Sequence, residues 1–267
     1  MDLVLVTCKS IKNIILIIFQ RVNMYNFYAV IIGTEILNGR REDKHFIFIR
    51  DLLKEYGHTL FCTFIIKDDK DLMRKCYKMI KEDEKAVLFN FGGIGSTPDD
   101  LTREIAAEIF TQKPLVVNED FKQDIIERFK QEAYPHRINM AQLPINATLI
   151  KNPINNMSGF ELDHRYFFVP GFVQMSHPML KDCVKKYFST SKRMFRRTLL
   201  ADISENFLID IMKTLPDDME LSSLPILKTG TPQVELSLSF YDEKILAQEF
   251  KKFTDFLDEE YIKYKIL

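Results

Sequence analysis

Apolar runs in this chain alternate with segments whose apolar residues recur every three or four positions. Residues 28–32, 60–66 and 86–91 are nearly continuous apolar runs of strand length, and the first ends at Gly33. Such runs predict strands buried on both faces, the habit of a parallel sheet. Between them, Phe46, Ile49, Leu52, Leu53 and Tyr56 fall at helical spacing, with Gly57 as the stop. Leu72, Cys76, Met79 and Ile80 predict the apolar stripe of the next helix. Helices are further predicted over 102–110, 119–131 and 174–188, with short strands near 148–150 and 165–169. This alternation predicts an α/β unit with a mostly parallel sheet and right-handed crossovers.

The order changes after the polar, basic stretch STSKRMFRR at 189–197, which is expected to be a solvated linker carrying Lys192, Arg193, Arg196 and Arg197. Beyond it come a strand (198–203), a helix (205–215), two strands (220–227 and 233–240) and a helix (242–261), with Pro225, Gly230 and Pro232 marking the turn between the two later strands. This predicts a small α+β domain. At the other end, IILIIF at 14–19 is too short to span a bilayer, and no small-x-small cleavage site follows it. Met24 directly precedes the first strand, so translation is expected to start there. The expected organisation is an N-terminal extension (1–23), an α/β domain (24–190) and the small α+β domain (191–267).

Composition narrows the picture only a little. Of 267 residues, 46% are hydrophobic and 28% charged, the proportions of an ordinary globular protein. A net charge of −1 offers no basic field for nucleic acid or membrane surfaces. Cys8, Cys62, Cys76 and Cys183 form no CxxC pair, so neither a zinc site nor a disulfide scaffold is expected. Reduced thiols and a cytoplasmic location are the default.

The candidate chemistry lies where the third strand ends, in the run FGGIGSTPDDLT at 91–102. Gly92, Gly93 and Gly95 allow close approach of backbone to a ligand. Ser96 and Thr97 are expected to cap a helix with Pro98 in its first turn, so that free N–H groups and the helix end favour phosphate. Asp99 and Asp100 fall at the same point, and two carboxylates beside a phosphate call for a cation between them. Taken alone, the acidic residues are also what a first helical turn uses against its dipole, and Gly-Gly is also an ordinary turn. No Gly-Lys-Ser/Thr closes a P-loop, and GxGxxG is missing. Gly33-Thr34-Glu35 and Lys67-Asp68-Asp69 also fall at strand ends, so three polar clusters are expected to converge on one crevice. Glu35 suits a ribose hydroxyl or metal-bound water, and equally a backbone cap. His45, close to Asp43, could assist a metal, although such a His more often begins a helix with no ligand role; His136, His164 and His177 follow no ligand spacing, so surface or structural roles are expected. Arg103 is expected at an exposed first-turn position, and Thr102 is expected to point back to the loop.

With these residues in hand, the chain resembles the molybdopterin-binding (MoaB/Mog-like) domain superfamily, and within it the N-terminal part of competence/damage-inducible CinA proteins. Residues 33–39, GTEILNG, look like GTELLxG, and residues 92–102 look like the GG-x-GPT-x-DD-x-T loop. Asn152-Pro153 and Gly159-Phe160 match parts of NPxGTAPGF, and Val169-Pro170-Gly171 part of LPGVPxEM. The chain departs at Ser96, at residues 155–158 (NNMS) and at Phe172, Val173 and Met175. These positions are expected at the pocket end that reads the organic moiety.

The resemblance implies a three-layer α/β/α domain and a divalent metal cofactor. It implies a metal-dependent hydrolase of nucleotide pyrophosphates such as ADP-ribose or FAD. The alternatives are a non-catalytic pterin- or nucleotide-binding module and Mog-type adenylyl transfer to molybdopterin. The expected catalytic residues are Asp100 and Asp68, and the expected metal ligands Asp99 and Asp100. Gly92, Gly93, Gly95, Ser96 and Thr97 would bind phosphate, and Glu35, Asp43 and Gly171 would complete the pocket. The partner is a nucleotide or pterin, and homo-oligomer formation stays open.

Overall fold

The computed structural model describes residues 25–189, 194–226 and 232–267. The expected extension 1–23, the start at Met24, Cys8, Lys192, Arg193 and Gly230 lie outside the described residues. Contacts divide the chain into two compact units, with the division between Ser191 and Lys192.

The first unit begins with β1 (Asn26–Ile32), α1 (Thr34–Leu37), α2 (His45–Glu55), β2 (Leu60–Ile66), α3 (Lys70–Glu82) and β3 (Ala86–Phe91). It continues with α4 (Thr102–Ala106, running on as a π turn over Ala107–Thr111), β4 (Val116–Val117), α5 (Glu119–Phe129) and β5 (Gln142–Leu143). It ends with β6 (Thr148–Ile150), β7 (Gly159–Leu162), β8 (Tyr166–Val169) and α6 (Val173–Phe188). A six-stranded sheet runs β2-β1-β3-β8-β7-β6. Its first four strands are parallel, and β7 pairs antiparallel with both β8 and β6. The sheet is therefore mostly parallel, as expected, and β7 is a strand the hydropathy pattern did not single out.

Alternate residues of β1 feed two cores. Tyr28, Val30 and Ile32 pack under α3, α4 and α5. Phe27, Ala29 and Ile31 pack under α2 and α6. Helices on both faces make the three layers. The expected stripe of α3 is rotated: Met73, Cys76, Tyr77 and Ile80 are buried, whereas Leu72 and Met79 are exposed. Tyr77 is amphipathic, and its hydroxyl has a buried partner in Asn90 on β3, which draws that edge of the helix inward. Because β1 lies between β2 and β3, successive connections leave it in opposite directions. The crevice beyond its carboxyl end is where an open sheet of this kind receives a ligand.

The second unit comprises β9 (Phe195–Ala201), a 3-10 turn (Glu205–Phe207), α7 (Ile209–Met212), β10 (Glu220–Ile226), β11 (Gln233–Phe240), α8 (Glu243–Glu259) and β12 (Tyr264–Ile266). Its antiparallel sheet, ordered β10-β11-β9-β12, carries one core with α8. Two expectations are corrected here. Arg196 and Arg197 belong to β9 rather than to a linker, and Arg196 Nε donates to Ser239 Oγ at 2.9 Å. Pro225 sits inside β10, which its place on the sheet edge tolerates because no ladder donor is needed on the outer side. Among the described residues no helix is long and apolar enough to cross a membrane.

Candidate functional site

The glycine turn is held at both ends by buried side chains. Gly92 and Gly93 have φ of +98° and +70°, the left-handed region that glycine enters without strain. A Cβ on Gly92 would stand 2.8 Å from the Ile32 carbonyl oxygen, so glycine lets the end of β3 pass close to the end of β1. The Gly92 carbonyl accepts from Thr102 Oγ1 at 3.0 Å and from Asn90 Nδ2 at 3.1 Å, and Asn90 Oδ1 accepts from the Tyr77 hydroxyl at 2.7 Å. Thr102 N–H donates to the Gly93 carbonyl at 3.0 Å. Thr102 points back to the loop, as expected. Arg103 does not lie exposed: it is buried and donates to the Ile94 carbonyl.

Asp100 closes the second half of the loop. Its Oδ1 accepts from Gly95 N–H at 2.8 Å, and its Oδ2 accepts from Thr97 N–H at 2.8 Å and Thr97 Oγ1 at 2.6 Å. The helix accordingly starts at Thr102, with Leu101 before it. Ser96 and Thr97 cap nothing, Pro98 is not helical, and Asp99 and Asp100 precede the helix instead of occupying its first turn. Asp100 is tied to the loop on both sides of Ser96, and the backbone from Thr97 to Leu101 is a turn rather than a first helical turn. Among the described residues, the N–H groups of Gly93, Ile94 and Ser96 are left without an acceptor.

The other polar clusters arrive from β1 and β2. Asp68 Oδ2 accepts from Thr34 N–H at 3.0 Å and Thr34 Oγ1 at 2.8 Å. Glu35 lies 3.6 Å from Arg41 Nη1. One cleft of about 620 Å³ is lined by Glu35, Asp68, Gly92, Gly93, Gly95, Ser96, Thr97, Asp99, Asp100 and Gly171. The three strand-end clusters thus converge. Asp43 does not join them: its two oxygens accept from the N–H groups of His45 at 2.9 Å and Phe46 at 3.1 Å, which caps α2. Among the described residues no group of three or more His, Cys, Asp or Glu side chains is arranged to hold a metal ion.

The far wall was largely invisible to motif reasoning. Arg41, Phe121, Arg128, Phe129, Arg137 and Met140 line it, together with Asn155, Met157, Ser158, Phe172 and Met175. The last five belong to the two segments in which the chain departs from the family pattern, 155–158 and 172–175, so most of those departures line the cleft. Buried Asn152 sets the first of these loops by donating to Asn155 Oδ1 at 2.8 Å and to the Met157 carbonyl at 3.2 Å.

Behind Gly171 lies a histidine pair that spacing could not find. His45 Nε2 is 3.3 Å from the Gly171 carbonyl, and His45 Nδ1 is 3.3 Å from His177 Nε2. A carbonyl only accepts, so His45 carries its proton on Nε2. Burial favours the neutral ring, so its Nδ1 accepts from His177. Gly171 also accepts from Arg41 Nη2 at 3.1 Å. Burial, with His45 and Lys181 adding, pushes His177 down to about 4. A folded-state pKa below the unfolded 6.5 means that the unfolded chain binds more protons between those values. This contribution is full above pH 6.5 and is lost as pH falls toward 4. Urea midpoints measured from pH 7.5 to 4.5 should therefore fall toward acid, and His177→Gln should flatten part of that slope. An unchanged slope in that variant would assign the acid sensitivity to other groups.

The family described as "Probable molybdopterin binding domain" matches residues 28–190. The chain belongs to the molybdopterin-binding domain family. The matched span holds both the glycine turn and the histidine pair. The chain is similar to a CinA-like protein of Fusobacterium nucleatum, 26% identical over 235 residues that make up 86% of this chain and 58% of that protein. It is similar to Protein Ta0487 of Thermoplasma acidophilum, 26% identical over 82% of this chain and 89% of that protein. A crystal structure of a Thermoplasma acidophilum CinA protein of unknown function superposes with a TM-score of 0.54 at 27% identity, covering 61% of this chain and 98% of that one. The chain thus spans little more than half the length of the Fusobacterium CinA-like protein that it matches.

Proposed function

We propose that this molybdopterin-binding domain protein is a metal-dependent hydrolase of nucleotide pyrophosphates such as ADP-ribose or FAD. The supporting observation is the meeting, in one cleft, of three acceptor-less main-chain N–H groups and carboxylates with oxygens to spare. The N–H groups of Gly93, Ile94 and Ser96 would hold one phosphate. Asp68 keeps Oδ1 free, Asp99 is exposed with no side-chain partner among the described residues, and Asp100 keeps only a lone pair of Oδ1. Among the described residues no three-carboxylate cage is built, which suits an ion that keeps several waters and binds largely through substrate phosphates, the habit of Mg²⁺. Asp68 and Asp99 would hold it. When bound, such an ion neutralises developing charge and lowers the pKa of an attacking water. Asp100 keeps the loop N–H groups aimed, and catalysis comes from positioning and charge.

The commitment of Asp100 to the loop is also what a non-catalytic pterin- or nucleotide-binding module would show, and one experiment separates the two. Purified protein is incubated with a panel of dinucleotides and several divalent ions, and the products are resolved by chromatography. The hydrolase yields mononucleotides, loses this with chelator and regains it with added ion. Tight ligand binding with the ligand recovered unchanged under every ion overturns the hydrolase and leaves the binding module. In a parallel incubation with ATP and a pterin phosphate, adenylylated pterin with release of pyrophosphate would point instead to adenylyl transfer.

A further inference from the structure

We propose that Arg128 and Arg137, both set over the Phe129 ring, form a second anion subsite in the cleft. The substrate would then carry a further anionic group besides its diphosphate. This rests on the hydrolase reading of the same cleft and narrows its substrate class.

The two guanidinium carbons lie 5.4 Å (Arg128) and 4.5 Å (Arg137) from the Phe129 ring centroid. Phe129 ends α5, whereas Arg137 opens a separate 3-10 turn, so the fold brings both cations to one aromatic ring. All three residues line the cleft. Arg137 has one carboxylate partner, Glu132, at 2.8 Å; that carboxylate is exposed, so the pair is weak and exchangeable. Arg128 has no carboxylate within ion-pair distance among the described residues, and its Nη1 instead donates to the Asn155 carbonyl at 3.3 Å. Within ion-pair distance, and among the described residues, the two cations have one carboxylate between them.

The glycine turn already supplies donors for one phosphate, so these cations are surplus to it. A guanidinium backed by an aromatic ring, or by a carbonyl, loses less freedom when it grips an anion than a free surface arginine does. The half-buried side chains of Met140 and Met157 beside it suit a planar heterocycle. Arg128 is tied to Asn155, in the loop where the chain departs from the family pattern.

The test is calorimetric binding with magnesium present at fixed ionic strength. The probes are pyrophosphate, adenosine 5′-diphosphate, and the same nucleotide with an added phosphate on its ribose 2′-hydroxyl. The wild type should prefer the added phosphate by about 10-fold or more. Arg128→Gln and Arg137→Gln should each cut that preference to roughly 3-fold or less, with pyrophosphate affinity and thermal unfolding unchanged. Equal affinities in the wild type, a preference that survives in both variants, or no binding of either nucleotide overturns the subsite. Chromatography of parallel incubations with ADP-ribose and FAD keeps the two proposals apart. Preference without product sinks the hydrolase and spares the subsite, and product without preference does the reverse.

Discussion

Asp100→Asn should lower turnover of a pyrophosphate substrate by roughly 10²-fold or more and also weaken the fold by about 1.5–3 kcal/mol. Both effects have one source. The carboxylate accepts from Gly95 N–H, Thr97 N–H and Thr97 Oγ1. An amide offers one oxygen and one NH₂, so at least one loop N–H would face another donor. That N–H would lose a charge-assisted bond, and the loop would turn away from the geometry that leaves the Gly93, Ile94 and Ser96 donors free. A carboxylate acting only on a helix dipole would cost about 0.3–1 kcal/mol. Urea unfolding together with steady-state rates decides the matter. Asp99→Asn is the matched control, since Asp99 is exposed and braces nothing among the described residues: its midpoint should stay put while its rate falls. Wild-type midpoint and rate in Asp100→Asn would refute the brace.

Gly93→Ala should be the most damaging single methyl in the site. Its Cβ would stand 2.3 Å from Thr102 Oγ1, at a φ of +70°. The left-handed conformation costs a non-glycine residue about 1–2 kcal/mol and the overlap about 1–3 kcal/mol more. Thr102 cannot swing aside cheaply, because its hydroxyl bonds the Gly92 carbonyl and its side chain is buried. The expected result is a loss of about 2–5 kcal/mol in urea unfolding, with turnover abolished. Thr102→Ala alone should cost about 1 kcal/mol for its hydrogen bond. Combined with Gly93→Ala it removes the overlap and leaves the φ cost, so the double variant should lose less than the sum of the singles. A sum that is strictly additive would show that the loop absorbs the methyl elsewhere.

Much of the fold was legible because hydropathy is a local signal. β2 and β3 have the expected limits, and alternate burial along β1 follows from its run of apolar residues serving two cores. Strand-end clusters were legible too: in a parallel sheet every strand's carboxyl end faces the same side, so Gly33-Thr34-Glu35, Asp68 and Gly92-Gly93 had to share a crevice. What failed were statements about competition between local partners. Asp99 and Asp100 have the composition of a first helical turn, yet the carboxylate of Asp100 closes on Gly95 and Thr97 and delays the helix to Thr102. Asp43 was placed in the pocket by likeness to a motif, and its two oxygens instead each accept an N–H at the start of α2.

By itself, the sequence determined the α/β order, the glycine turn with its acidic neighbours, and the family, since each is written in adjacent residues. Only the tertiary structure decided which of those acids keep a free oxygen. It also brought Arg128 and Arg137 onto Phe129 and joined His45 to His177 across 132 positions to hold Gly171. Such contacts depend on how helices rotate and loops close over the sheet. That is settled by packing and by the demand that buried polar groups find partners, and neither leaves a period in the chain.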